Sequence, residues 1–314
     1  MMDLTDRHCR YFHRLLSPSA LLYSEMLTTG AVLHGDRQRL LAYNQAEHPL
    51  ALQLGGSDPG ELAQCGVIAE QLGYDEINLN VGCPSERVQK GRFGACLMKE
   101  PVLVRDCIAA MRAEVSVPVT VKTRLGVDDF DSYEFFRDFI EQVGESGCET
   151  YIIHARKAWL SGVSPKQNRD IPPLYYDRVY RLKQEHPEWT IVLNGGVKSV
   201  AEVQQHLQQV DGVMLGRAAY QNPELLLDCE RRLFGNQPLT SEQVIGQMMD
   251  YIGRQRQQGV PLKHISRHLL GLFQGQPGAK RWRRTLSQRA HLPEADESLL
   301  QEALAAMNIN QAVA

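Results

Sequence analysis

A chain of 314 residues with 43% hydrophobic and 23% charged positions has the make-up of an ordinary folded protein, with room for one large domain and a smaller one. No apolar run approaches the roughly 18 residues a spanning helix needs, and the start, Met1-Met2-Asp3-Leu4, carries no signal-peptide pattern, so a membrane partner is not expected. The seven cysteines are odd in number and contain no C-x-x-C pair, which points to reduced thiols in a cytoplasm and to no structural metal. A net charge of −3 by itself argues neither for nor against nucleic acid.

In chain order, a helix over 5–16 comes first. β-rich runs follow at 21–24, 50–54, 76–80, 118–124, 150–155, 190–194 and 212–215. Amphipathic helices fit between most of them, at 58–72, 101–115, 132–143, 175–185 and 199–208. Several have start signals, among them Asp58-Pro59, Ser132, and Ser199 followed by Glu202, a capping box. Strand and helix alternating over this length predict a parallel sheet, and the count favours a TIM (β/α)8 barrel over a doubly wound sheet. Only seven strands are visible and the chain opens on a helix, so the first barrel strand is expected to be missing. Beyond Gly235-Asn236-Gln237-Pro238 the pattern is helical without strands, predicting a barrel domain over 1–235 and an all-helical domain over 236–314.

The helical part has a hidden charge bias. From Tyr251 to Pro293 there is no Asp or Glu, while Arg254, Arg256, Lys263, Arg267, Lys280, Arg281, Arg283, Arg284 and Arg289 are all basic. The near-neutral total therefore joins a basic module to an acidic barrel, and the basic module favours RNA over a merely solvated helix face. Trp282, Tyr251 and Phe273 are candidates for stacking on nucleotides, with packing in a small core as the more frequent role of such residues.

The chemistry is expected around Asn78 to Pro84. Ile77, Leu79 and Val81 point one way along the strand, and Asn78 and Asn80 point the other. Buried amides need partners, and the strand breaks at Gly82 to leave Cys83 at its carboxyl end. Neighbouring strands repeat the arrangement with Gln53, with Lys122 and Arg124, and with His154 and Arg156. Any one of these has an ordinary structural explanation; four adjacent strands with polar groups at the same end mark a barrel active site. Two glycine turns, Asn194-Gly195-Gly196 and Gly216-Arg217, supply bare backbone N–H groups after the last two strands, a common phosphate seat. A phosphate seat, a lysine and an amide-lined floor suit FMN. A cysteine thiol of ordinary pKa, about 8.5, stays protonated at neutral pH and can donate a proton.

The chain resembles the tRNA-dihydrouridine synthases, most closely their A subfamily. The resemblance is carried by Ala51-Leu52-Gln53-Leu54-Gly55-Gly56, by Asn78 to Ser85, by His154 to Gly162, and by Leu272-Phe273-Gln274-Gly275. It implies reduction of D-loop uridines in tRNA at positions 20 and 20a, with FMN as cofactor and NADPH as reductant; the protein is expected to be a cytoplasmic monomer. By resemblance, Gln53, Lys122, His154, Asn194, Gly195, Gly196, Gly216 and Arg217 bind FMN. Cys83 protonates C5 while hydride reaches C6, Asn80 contacts the target nucleotide, and Lys166, Arg169, Arg281 and Arg284 contact tRNA. It also implies a strand and an Ala-Pro-Met turn ahead of Met2-Asp3.

Three rivals remain at this stage. A flavin barrel acting on free pyrimidines, similar to dihydroorotate dehydrogenases, accounts for the mouth but not for the basic tail. An RNA-binding protein whose barrel has lost catalysis accounts for the tail, and would be colourless and unable to take up FMN. A phosphate-binding barrel lyase or isomerase without flavin leaves Cys83 idle.

Overall fold

The computed structural model describes residues 1–308, which fall into two compact units. The first comprises Met1–Met2 and Leu21–Gly216; the second comprises Asp3–Ala20 and the chain from Arg217 onward. Residues 3–20 and 217–235, which the sequence pattern assigns to the barrel, thus group with the helical unit.

The first unit is built on one parallel sheet whose strands follow chain order: β1 (Leu22–Thr28), β2 (Leu50–Gly55), β3 (Glu76–Val81), β4 (Val119–Arg124), β5 (Thr150–His154), β6 (Thr190–Asn194) and β7 (Gly212–Met214). Helices Pro59–Gln71, Pro101–Glu114, Tyr133–Gly144, Tyr176–Glu185 and Val200–His206 lie between successive strands from β2 to β7. This is α/β architecture with a curled parallel sheet, as in barrels. The curl is visible where Lys122 Nζ on β4 reaches Asn194 Oδ1 on β6 at 3.1 Å, past β5. In a flat sheet those two strands would lie about 10 Å apart.

Leu50, Leu52 and Leu54 on β2 and Ile77, Leu79 and Val81 on β3 are wholly buried. Burying each such side chain contributes about 1.5–3 kcal/mol, which commits this face of the sheet to the helical layer. The alternate residues face the interior: Gln53 on β2, and Glu76, Asn78 and Asn80 on β3. Register places Gln53 beside Asn78 and Asn78 beside Thr120, one row across three strands, with Asn80 beside Lys122 in the next row. Gly66 lets helix Pro59–Gln71 sit close over the sheet, since a Cβ there would already touch Val115 and Ile77.

The second unit is helical. Helix Arg7–Leu16 packs against helices Glu224–Leu233, Ser241–Gln257 and Leu262–Ser266. Its start is fixed by Asp6, whose side chain accepts the N–H groups of His8 and Cys9 and pairs with Arg267 at 2.6 Å and His268 at 3.0 Å. Tyr11 stacks on Tyr251 with ring centroids 4.0 Å apart, and the Tyr251 hydroxyl meets His8 Nδ1 at 2.7 Å. Trp282 is fully buried, donates its indole N–H to the Leu269 carbonyl at 2.8 Å, and meets Phe273 edge-on. Trp282, Tyr251 and Phe273 are therefore core residues, and none offers an open ring face for a nucleotide. No helix of the described residues is long and apolar enough to cross a membrane.

Candidate active site

Cys83 sits in the loop that leaves β3, with its backbone held on both sides. Its N–H donates to Asn80 Oδ1 at 2.9 Å, alongside the Gly82 N–H at 3.1 Å, and its carbonyl accepts the Ala95 N–H at 2.9 Å. Gly94 makes that approach possible: it has φ +76°, and a Cβ there would come within 2.6 Å of the Cys83 carbonyl oxygen. Cys83 is half-buried, with Ser85 Oγ 3.7 Å from its sulfur. A fixed backbone carrying a half-buried cysteine is an arrangement for chemistry at sulfur. Cys9, Cys65, Cys107, Cys148 and Cys229 are buried, and Cys96, half-buried like Cys83, donates to the Phe93 carbonyl.

The interior amides answer one another. Asn80 Nδ2 donates to Gln53 Oε1 at 2.9 Å, Gln53 Nε2 to Asn78 Oδ1 at 2.9 Å, and Asn78 Nδ2 to Thr120 Oγ1 at 2.8 Å. Thr120 in turn donates to Glu76 at 2.6 Å, and so does the Tyr23 hydroxyl at 2.7 Å. The awkward buried amides of the sequence are thus satisfied largely by each other. Thr120 and Glu76 escape notice in the sequence, although strand parity places them on the same faces as Lys122 and Asn78.

Lys122 is a half-buried cation. Burial, and then the neighbouring charge of Arg124, push its pKa down to about 8, while Cys83 acts in the opposite direction. Its ammonium donates to Asn194 Oδ1, and Asn194 Nδ2 reaches on to the Met214 carbonyl at 2.8 Å. A desolvated ammonium so placed calls for an anionic or strongly polar partner. Arg124, with its pKa brought down to about 10 by burial, binds the carbonyls of Gly82, Lys157 and Asn168. It therefore fastens the cysteine turn to the loop after β5, an anchoring role that its place at a strand end does not reveal.

Beside Asn194, the turn Gly195-Gly196 has φ of +111° and +78°. A Cβ at Gly195 would strike the His154 ring at 2.5 Å, and one at Gly196 would strike Leu174 and the Tyr176 hydroxyl at 2.6 Å. These glycines let the backbone close on His154. At Gly216, a Cβ would meet nothing within 4 Å, which leaves open room over that turn. Gln53, Asn80, Cys83, Lys122, His154, Asn194, Gly195, Gly196 and Gly216 all belong to the first unit, at or just beyond the carboxyl ends of β2 to β7. Arg217 opens helix Arg217–Gln221 of the second unit.

A family model described as dihydrouridine synthase matches residues 1–308. The chain belongs to the dihydrouridine synthase family. Among similar curated proteins, the tRNA-dihydrouridine(20/20a) synthase of Vibrio cholerae serotype O1 is 61% identical over 308 residues, covering 97% of this chain and 94% of that protein. The protein of the same name from Escherichia coli K12 is 60% identical over 307 residues, covering 97% and 89%. That of Salmonella typhi is 59% identical over 307 residues, covering 97% and 92%. The likeness extends through the helical unit, so membership in this family of oxidoreductases rests on the whole chain and not on the sheet alone.

The remaining expected contact residues lie away from the strand ends. Lys166 and Arg169 are exposed on the loop after β5, around a short turn whose Asn168 is wholly buried and braces Trp159 through both backbone groups. In the second unit, Arg284 is exposed and Arg281 half-buried, its guanidinium donating to the Ala306 carbonyl. Of the nine basic residues in the acid-free stretch, Arg256 pairs with Glu297, Arg267 with Asp6 and Arg289 with Glu302. The module is therefore less positive than its sequence implies, and the bias concentrates on helix Ala279–Arg289, where Lys280, Arg283 and Arg284 are exposed. Among the described residues, no group of three or more His, Cys, Asp or Glu is placed to hold a metal.

Proposed function

We propose that this protein reduces uridine to 5,6-dihydrouridine in the D-loop of tRNA, at positions 20 and 20a, with FMN and NADPH. The reading takes the sheet as part of a (β/α)8 barrel and the protein as a cytoplasmic enzyme. The observation that carries it is a half-buried cysteine on a pinned backbone, held by Asn80, whose register partner on β4 is Lys122.

The residues present fit a flavin. Lys122 is a half-buried cation on β4, and Gln53 keeps one amide hydrogen beyond the one it gives Asn78. The proposed phosphate contacts are Gly195, Gly196, Gly216 and Arg217, and Gly195 packs on His154. When bound, FMN carries to uracil C6 the hydride that NADPH supplies. Cys83 gives its proton to C5. A proton from water restores the thiol. Asn80 keeps one amide hydrogen after bonding Gln53, and directs it to the target nucleotide.

The uracil must leave the folded tRNA to reach this site, at a cost of a few kcal/mol. Phosphate contacts from Lys166, Arg169, Arg281 and Arg284 offset that cost. The test is to map dihydrouridine in tRNA from cells lacking this gene and from cells re-expressing it. Positions 20 and 20a should be unmodified in the first and restored in the second; normal dihydrouridine in the deletion rules the reading out.

A further inference from the structure

The polar chain under the cysteine loop has a direction, and the direction starts at Glu76. Each amide along it presents an oxygen on one side and an NH2 on the other, so its orientation is binary. Glu76 Oε1 accepts two hydroxyls, from Tyr23 at 2.7 Å and from Thr120 at 2.6 Å. With its proton committed to Glu76, the Thr120 oxygen can only accept from Asn78, which turns the Asn78 oxygen to Gln53. The Gln53 oxygen then faces Asn80, and the Asn80 oxygen faces the N–H groups of Gly82 and Cys83. Were Thr120 to donate to Asn78 instead, every amide would turn over, and Asn80 would set its own NH2 against two further N–H donors.

We propose that Glu76 and Thr120 are positioning residues for the cysteine loop: they set the orientation of the Asn78–Gln53–Asn80 amides and so hold Cys83 in place. Strand register provides the path. Gln53, Asn78 and Thr120 occupy one row across β2, β3 and β4, with Glu76 at the near end of β3 and Asn80 at the far end. Asn78 is wholly buried, and Glu76 and Thr120 are 8% and 1% exposed, so water does not compete for these bonds. Burial raises the Glu76 pKa while the two hydroxyls oppose that shift, and Oε1 remains an acceptor in either protonation state. The same chain orients Gln53, so both the thiol and the amide offered to the flavin answer to one buried carboxyl group.

The inference rests on the reading of Cys83 as proton donor only for its effect on turnover; the placement of the loop is measured without it. Thr120→Val keeps the shape and removes the hydroxyl, Thr120→Ser restores it, and Glu76→Met fills the space without an acceptor. Site-resolved alkylation of Cys83 by iodoacetamide should run roughly fivefold faster in Thr120→Val and Glu76→Met, the scale expected for one lost hydrogen bond. In both, kcat for dihydrouridine formation should fall about tenfold. Thr120→Ser should match the unaltered protein in both readouts. Altered alkylation with normal turnover leaves the positioning in place and removes Cys83 from the reaction. Unaltered alkylation in a folded Thr120→Val, or in Glu76→Met where the valine variant does not fold, overturns the proposal. So does an equal change in Thr120→Ser.

Discussion

Asn80 Oδ1 accepts the backbone N–H of Cys83 at 2.9 Å, so the last inward amide of β3 holds the loop that presents the thiol. It accepts the Gly82 N–H at the same time. Asn80→Ala leaves both donors unmade in a site where the residue is 9% exposed. Such a loss costs about 1–3 kcal/mol, so dihydrouridine formation should fall roughly ten- to a hundredfold. Asn80→Asp keeps the acceptor and loses the bond to Gln53, and its defect should be smaller. Steady-state kinetics on tRNA, with flavin content measured alongside, checks both.

Lys122 carries its charge only below its lowered pKa of about 8. Flavin binding by the apoprotein should therefore weaken as pH rises from 7 to 9, by about tenfold per pH unit above the pKa at most. Lys122→Met should bind more weakly at pH 7 and lose this pH dependence. Quenching of flavin fluorescence on titration with apoprotein reads both effects.

Exposed Arg284 and half-buried Arg281 belong to the basic helix Ala279–Arg289. Replacing both with Gln should weaken tRNA binding and lower the slope of log affinity against log salt by about 1 to 2, roughly one for each phosphate no longer neutralised. Flavin reduction by NADPH should be unchanged. An unaltered salt slope means that these arginines face solvent and not RNA.

His8 and His13 are buried in the helical unit, and burial pushes their pKa values down to about 4 and about 3. The unfolded chain binds protons at these positions from about pH 6.5 downward, whereas the folded chain does not. Their stabilising contribution is present above pH 6.5 and declines as pH falls, by about 1.4 kcal/mol per pH unit for each residue. Thermal unfolding followed between pH 7 and 5 should show a steep fall in midpoint. His13→Leu, which removes one of the two proton sites, should make that fall shallower.

Much of the sheet is legible in the sequence because apolar residues alternate in short runs bounded by turn and cap signals. The run 190–194 coincides with β6, and Ser199 and Glu202 form the expected capping box. Ends are less legible. Strand β1 continues to Thr28 through Glu25, whose charge disguises a strand, and the first helix begins at Arg7 because Asp6 is its cap. Of the site, the inward amides and lysine can be read from parity on single strands. What they bond to cannot, because Gln53, Asn78 and Thr120 meet only through the register of three strands. Likewise, nothing near residues 3–20 announces that Tyr11 stacks on Tyr251, or that Ser17 donates to Glu230 at 2.6 Å. Those pairs lie more than 200 residues apart, and local pattern carries no record of them.

The proton-donor role of Cys83 is tested most directly by Cys83→Ala, with dihydrouridine formation and flavin chemistry measured in the same preparation. The thiol's backbone is held by Asn80 and Ala95 whether or not sulfur is present, so the variant should fold and keep its flavin. It should accept hydride from NADPH at the normal rate yet form dihydrouridine about a hundredfold more slowly, the scale of a lost general acid. Product formed at the normal rate by Cys83→Ala would contradict the account.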